Sequence, residues 1–213
     1  MTEHAIFAGL DADLLLDNDR VFVQRHVVPT GGNLGVHECS QPHLVIYVRG
    51  GQVVDSTGRV VIWRDGSARW YDAAVGAEDG GVNVSDTDIE LVTVVLKAVD
   101  AAVPRPIHPV RPLSYPNVPG EDLLDNELVI VQRFVMNPGQ WEGVHAHQPN
   151  MLYVHIRGGQ WASRTFNEPA VAYPDPSADG SVGWIEPVEL DVGHESGNVG
   201  ATPIDFLWVS LKR

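Results

Sequence analysis

Short hydrophobic runs rich in β-branched and aromatic residues recur along the chain, and Gly, Asp or Pro separates them. In the first half of the chain these runs are Val21–Val28, Leu44–Val48, Val60–Trp63 and Ile89–Leu96. Runs of this length, bounded by turn residues and spaced almost regularly, predict the short strands of an antiparallel sandwich or barrel. Only Ala73–Glu78 could hold a helical turn, and Gly76 weakens it.

The same pattern occurs twice. Residues 15–52 and 123–160 align at an offset of 108 with 18 identities in 38 positions. Further downstream, IELVTVVLK at 89–97 meets IDFLWVSLK at 204–212. Self-similarity at a fixed offset indicates a duplicated structural unit, so each half of the chain is expected to form its own β-domain.

A proline-rich stretch separates the two repeats. Residues 98–122 contain six of the fifteen prolines, as a semi-extended linker would. The sequence therefore predicts an all-β protein with a first barrel at 1–100, a linker at 101–118 and a second barrel at 119–213.

Composition and charge narrow the classes of partner. The 14 Lys and Arg residues face 28 Asp and Glu residues, which gives a formal charge of −14. Nucleic acids and anionic membranes are bound by clustered basic residues, so neither is an expected partner. The sequence has no long apolar run and no basic, apolar leader, and its lone Cys39 fits a reducing compartment. We therefore expect a cytoplasmic protein that binds a small molecule.

Histidines carry the clearest chemistry. His145 and His147 stand two residues apart, so on a strand both side chains would point to one face. His194 is a third candidate near a later strand pair. Imidazoles that converge on one cavity favour a divalent transition metal.

These residues also stand in a recognisable arrangement. Five residues separate Gly139 from the His145-x-His147 pair, six separate Met151 from Gly158, and three separate His194 from Asn198. The arrangement resembles the cupin superfamily, in which such motifs hold a metal. Phrases such as DNDRVFVQR and ELVTVVLK are also similar to small RmlC-like cupins of the beta-alanine-degradation type. The resemblance implies two tandem cupin-type double-stranded β-helix (jelly-roll) barrels, that is, a bicupin.

The resemblance also implies a ligand set. Many metal-binding cupins have Glu where this sequence has Met151, and a thioether is a poor ligand for hard divalent ions. We therefore expect His145, His147 and His194 to hold one Fe²⁺ or Zn²⁺ ion, with Ni²⁺ as a further option. Without an anionic ligand, the ion would favour an anionic substrate.

Two functions remain open from the sequence. Cupins with three His ligands favour dioxygenase chemistry on a small organic molecule, and isomerase or decarboxylase chemistry is also compatible with the fold. The alternative is a non-catalytic binding or sensing protein whose metal is structural or absent. The first barrel could also serve association into a homodimer.

Further candidates carry less evidence. Strand alternation after Met151 places His155 and Arg157 on one face, where His155 could move a proton and Arg157 could hold a carboxylate; packing and surface pairing are the alternatives. The first-half positions that match the metal motif, or lie close to it, could form a second metal site or be the remains of one. They are His37, Cys39, His43 and Asp79.

Overall fold

The computed structural model describes residues 7, 9–37, 41–72, 78–98, 110–166 and 168–212. The chain divides into two compact units, Met1–Val99 and Asp100–Arg213. Strands form nearly all of the regular structure in the described residues, and the exception is a single 3-10 turn at Leu190–Val192. The predicted all-β class is confirmed. Among the described residues, no helix is long and apolar enough to cross a membrane.

The described residues of the first unit form ten strands, all paired antiparallel. Five of them form a sheet in the order β1-β2-β10-β4-β7, three form a sheet in the order β6-β5-β9, and β3 pairs with β8. The strands are β1 (Ala12–Asp17), β2 (Val21–Val28), β3 (Val36–His37), β4 (His43–Arg49), β5 (Gly51–Val54), β6 (Val60–Trp63), β7 (Ala68–Tyr71), β8 (Glu78–Asp79), β9 (Val82–Asn83) and β10 (Ile89–Leu96).

The second unit repeats this topology. Its five-stranded sheet has the order β11-β12-β18-β13-β16, which matches the first sheet position by position, and its smaller sheet has the order β15-β14-β17. The strands are β11 (Gly120–Asp125), β12 (Val129–Met136), β13 (Met151–Arg157), β14 (Trp161–Arg164), β15 (Val171–Ala172), β16 (Val182–Ile185), β17 (Glu195–Asn198) and β18 (Ile204–Leu211).

The predicted strands agree closely with those observed. The runs Val21–Val28, Val60–Trp63 and Ile89–Leu96 coincide with β2, β6 and β10, and β4 extends the predicted Leu44–Val48 by one residue at each end. The suggested helical turn at 73–78 falls mostly outside the described residues, and Glu78 begins β8. Strands β2 and β10 are predictable because most of their β-branched residues are buried and each strand has a partner on both sides.

The C-terminal part of the predicted 101–118 linker packs into the second unit. Leu113, Tyr115 and Val118 are buried in the core of the second unit. The buried side chain of Gln132 holds the backbone of Leu113, because its Oε1 accepts the Leu113 N–H at 2.6 Å and its Nε2 donates to the Leu113 carbonyl at 3.2 Å. Residues 110–118 therefore pack as part of the second barrel, and residues 101–109 lie outside the described part.

A buried asparagine closes the corresponding turn in each unit. Asn198 Nδ2 donates to the carbonyls of Met136 (3.0 Å) and Thr202 (2.8 Å), and its Oδ1 accepts the N–H of Gly200 at 2.9 Å. Asn83 repeats this arrangement with Val28, Thr87 and Ser85. The asparagine of each repeat therefore ties the end of β2 or β12 to the turn that precedes β10 or β18.

Candidate metal centre

The structure brings His145, His147 and His194 together. His145 and His147 lie in the segment between β12 and β13, and His194 lies between the 3-10 turn and β17. The sequence suggested that His145 and His147 lie on a strand, but both lie in irregular structure. Backbone hydrogen bonds hold the segments together: His145 N–H donates to the His194 carbonyl at 3.2 Å, and His147 forms a β-bridge with Val188. This pairing brings the third histidine to the other two across about fifty residues of chain.

The spacing of the imidazoles fits a metal ion. One ligand nitrogen of each ring lies within 4.8 Å of the others, and Nε2 of His145 is 2.9 Å from Nε2 of His147. Two ligands about 2.1 Å from one ion and about 90–110° apart are separated by about 3.0–3.4 Å. Nδ1 of His145 faces the Gly143 carbonyl at 2.8 Å, which directs its Nε2 lone pair towards the other rings. The three rings therefore fit a divalent transition metal.

Burial keeps these imidazoles neutral. It lowers the pKa of His145 to about 4 and that of His147 to about 3, where neighbouring imidazoles add to the effect. Burial also lowers the pKa of His194. Metal binding requires the neutral ring, so at neutral pH protons do not compete for these nitrogens.

Glu142 is a further residue of this site, and the sequence motifs do not point to it. Its side chain is 3% exposed, and its Oε2 lies 3.8 Å from Nε2 of His145. The N–H of Ser196 donates to the same oxygen at 3.2 Å, and burial raises the pKa of Glu142 to about 8. In the sequence, the one indication of this role is an acidic residue three positions before His145, between Gly139 and the His145-x-His147 pair.

The histidines open onto a cavity of about 300 Å³. His147, His194 and Glu142 line one part of it, and aromatic side chains dominate the rest. Among the described residues that line it, none is Lys or Arg. The aromatic residues are Tyr153, Trp161, Tyr173, Trp184, Phe206 and Trp208.

His155 lies in this cavity wall, but its hydrogen bonds indicate a positioning role. Trp161 Nε1 donates to Nε2 of His155 at 3.1 Å, so Nδ1 carries the proton and faces Ser181 Oγ at 2.9 Å. Burial lowers the pKa of His155 to about 4. Both ring nitrogens are therefore engaged, and the arrangement does not support the predicted proton transfer by His155.

Arg157 does not reach the cavity. A register shift between His155 and Arg157 breaks the strand alternation on which the prediction rested, and Arg157 is exposed at the end of β13. Its cross-strand partner Asp205 is held by Arg133, whose Nε and Nη2 donate to the carboxylate at 2.9 and 2.6 Å. The predicted role of Arg157 in holding a substrate carboxylate is therefore not supported.

The first-half candidates do not form a described cluster. Cys39 and the side chains of His37 and Asp79 lie outside the described residues. His43 is buried, its Nδ1 faces the Gln41 carbonyl at 2.8 Å, and its ring stacks on Tyr71 at 5.1 Å. Among the side chains that the structure describes, the histidines of the second unit are the one cluster suited to a metal. A second metal site remains a prediction.

No protein-family model and no curated protein matches the sequence. Solved structures do match over almost the whole chain. AerE from Microcystis aeruginosa is 13% identical with a TM-score of 0.58, and the match covers 96% of this chain and 93% of that one. A salicylate 1,2-dioxygenase from Pseudaminobacter salicylatoxidans is 10% identical with a TM-score of 0.58 over 98% and 78% of the two chains.

A third match is a cupin 2 conserved barrel domain protein from Leptotrichia buccalis, 9% identical with a TM-score of 0.53 over 96% and 90% of the two chains. Identities this low establish the fold alone. The repeated strand order of the two units agrees with these matches. The chain therefore has a cupin fold, with the same strand order in each of its two units.

Proposed function

We propose that the protein is a metal-dependent cupin enzyme that acts on a small, anionic organic molecule in the second barrel, with dioxygenase chemistry. The observation that carries this proposal is the convergence of three imidazoles, two buried and one half-buried, beside one aromatic-lined cavity that His147 and His194 help to form. The name of the similar salicylate 1,2-dioxygenase supports the choice of reaction.

His145, His147 and His194 would hold the ion, and their donor set suits Fe²⁺, Zn²⁺ or Ni²⁺. When bound, the ion supplies a Lewis acid and coordination positions that small molecules can occupy. The chain supplies the rest of the site: burial holds the imidazoles in their neutral form, and aromatic side chains present flat apolar walls to the substrate.

The cavity limits the class of substrate. Its volume of about 300 Å³ is at the lower end of the roughly 300–1,000 Å³ usual for ligand sites, so we expect a single ring or a short chain. The aromatic walls suit a planar molecule. Because no Lys or Arg lies among the described lining residues, an anionic oxygen of the substrate has its best partner at the metal.

Metal analysis tests the site. The purified protein should carry about one transition-metal ion per chain, and a His145→Ala/His147→Ala variant should lose it. His155→Gln is a matched control, because His155 lines the same cavity without belonging to the ligand cluster. Equal metal content in the wild type and the double variant would refute the metal site.

Oxygen uptake tests the reaction. Protein reconstituted with Fe²⁺ should consume O₂ only when a suitable aromatic or short-chain acid is present, and a panel of such acids would identify the class. Stoichiometric metal with no O₂ uptake across the panel would favour the binding or sensing alternative. Association into a homodimer and a cytoplasmic location remain predictions from the sequence.

A further inference from the structure

We propose that Glu142 is a fourth protein ligand of the metal held by His145, His147 and His194. This inference rests on the proposed function and deepens it, because it changes the charge of the centre and the number of positions left for substrate. It is based on the position of a carboxyl group that the metal motifs do not include.

Glu142 lies where a ligand is needed. Its Oε2 is 3.8 Å from Nε2 of His145, and its side chain lines the same cavity as His147 and His194. Two ligands of one ion lie about 3.0 Å apart when they are adjacent in an octahedron and about 4.2 Å apart when they are opposite. The observed separation of 3.8 Å lies between these two values, which is compatible with both atoms binding one ion.

The backbone of Glu142 is fixed on two sides. Its N–H donates to the Ser196 carbonyl at 2.9 Å, and its own carbonyl accepts the N–H of Asn117 at 3.0 Å. Ser196 lies in β17, two residues after His194, so the same segment of chain positions both the carboxylate and the third imidazole. Glu142 is therefore held in register with the histidine ligands.

The carboxylate is also oriented by its hydrogen bonds. Trp208 Nε1 donates to the Tyr115 hydroxyl at 2.6 Å, and that hydroxyl is hydrogen-bonded to Glu142 in turn. Since the Tyr115 oxygen accepts from Trp208, its proton is directed to the carboxylate. With the N–H of Ser196 on Oε2, two donors are satisfied and lone pairs remain for an ion.

A cation would also satisfy the charge of Glu142. A carboxylate buried without a positive partner is costly, so burial favours the protonated form of Glu142 in the metal-free site; among the described residues no Lys or Arg forms an ion pair with it. Its one ion-pair candidate among the described residues is His145, which in this proposal is itself a ligand. A metal ion bound at the histidines would supply the positive charge that stabilises the carboxylate.

The position that holds Glu in many cupins is closed to a carboxylate here. Met151 is fully buried in the core of the second unit, where its neighbours include Tyr115 and Phe134. Glu142 thus provides an anionic ligand from the other side of the His145-x-His147 pair. With four protein ligands, a six-coordinate ion keeps two open positions and a tetrahedral ion keeps none.

The test uses Co²⁺ as a probe of affinity and coordination in the full-length protein. We compare the wild type with Glu142→Gln, which keeps the size of the side chain and removes its charge. Competition against a chromophoric chelator gives the Kd, and visible absorption of the Co²⁺ complex reports the ligand set. We expect Glu142→Gln to weaken Co²⁺ binding by about 10–100-fold or more and to change the absorption spectrum.

Glu195→Gln is the matched control. Glu195 is adjacent to His194, but its carboxylate is bound by Arg164 Nε at 2.6 Å. This variant should bind Co²⁺ with wild-type affinity and the wild-type spectrum. Circular dichroism and thermal unfolding of the metal-free proteins separate a lost ligand from a lost fold, and we expect Glu142→Gln to keep the wild-type circular dichroism spectrum.

Each outcome is decisive. Unchanged Kd and spectrum in Glu142→Gln would refute the fourth ligand and leave the proposed function intact. Failure of the wild type itself to bind Co²⁺ would overturn both proposals. Weakened binding in Glu142→Gln, with no O₂ uptake by the Fe²⁺-loaded wild type, would support the ligand and remove the oxygenase reaction.

Discussion

The substitution Asn198→Asp should destabilise the second barrel strongly although it barely changes the size of the side chain. It replaces the Nδ2 group, which donates to the carbonyls of Met136 and Thr202, by a second acceptor. Each buried carbonyl left without its donor costs about 1–3 kcal/mol, so the two together cost about 2–6 kcal/mol. The introduced carboxyl would keep the bond from the Gly200 N–H, so this estimate includes only the lost donors.

Urea unfolding followed by tryptophan fluorescence measures the effect. Asn83→Asp breaks the corresponding bonds in the first unit, to Val28 and Thr87, so it should lower the midpoint of that unit instead. Asn126→Asp is the matched control. Asn126 uses its Oδ1 to accept hydrogen bonds from the N–H groups of Leu128 and Val129, and an Asp carboxylate can accept both. It should change the free energy of unfolding by less than about 0.5 kcal/mol.

The pH dependence gives a second check on the same reasoning. Facing two carbonyls, the introduced carboxyl is favoured in its protonated form, so its folded-state pKa is raised. The deficit of Asn198→Asp should therefore shrink as the pH falls towards 4. A loss below about 1 kcal/mol at pH 7, or a deficit independent of pH, would refute the claim that these bonds fix the strand.

Three further predictions concern protonation and metal. Burial lowers the pKa of His26 from 6.5 to about 4, so the unfolded chain takes up a proton at a higher pH than the folded chain does. The free energy of unfolding of the first unit should therefore fall by about 3 kcal/mol between pH 7 and pH 4. In urea titrations His26→Leu should show a smaller fall with pH than the wild type, and an equal fall in both proteins would contradict the prediction. Metal at about 1,000 times its Kd should stabilise the second unit by about 4 kcal/mol, a shift of roughly 15–30 °C in its Tm, and the shift should vanish in His147→Ala. Trp161→Phe removes the N–H that favours neutral His155 and should raise the His155 pKa by about one unit in an NMR titration, whereas an unchanged pKa would mean that burial alone sets it.

Much of the fold is predictable because its evidence is local. Buried β-branched runs such as Val21–Val28 alternate with turn residues, and the repeat itself shows that one topology serves both halves. The histidine ligands are predictable from their spacing, since a His-x-His pair followed by a later His is a pattern of the sequence itself. These features depend on neighbours in the chain or on comparison of one half with the other.

The rest of the site depends on contacts that sequence spacing does not encode. Glu142 joins the histidines because its segment pairs with Ser196, more than fifty positions away. Arg157 leaves the cavity because a register shift interrupts the alternation of β13. The linker ends early because one side chain, Gln132, binds the backbone of Leu113.

The absence of Lys and Arg from the described cavity lining has a consequence for the order of events. With neutral aromatic walls and a buried carboxyl, the metal-free protein has no attraction for an anion, so metal must enter before substrate. Thermodynamic linkage makes this coupling reciprocal: a substrate that needs the ion must also hold the ion in place. Saturating substrate should therefore lower the Kd of the metal, measured by competition with a chelator, by the same factor by which the metal lowers the Kd of the substrate.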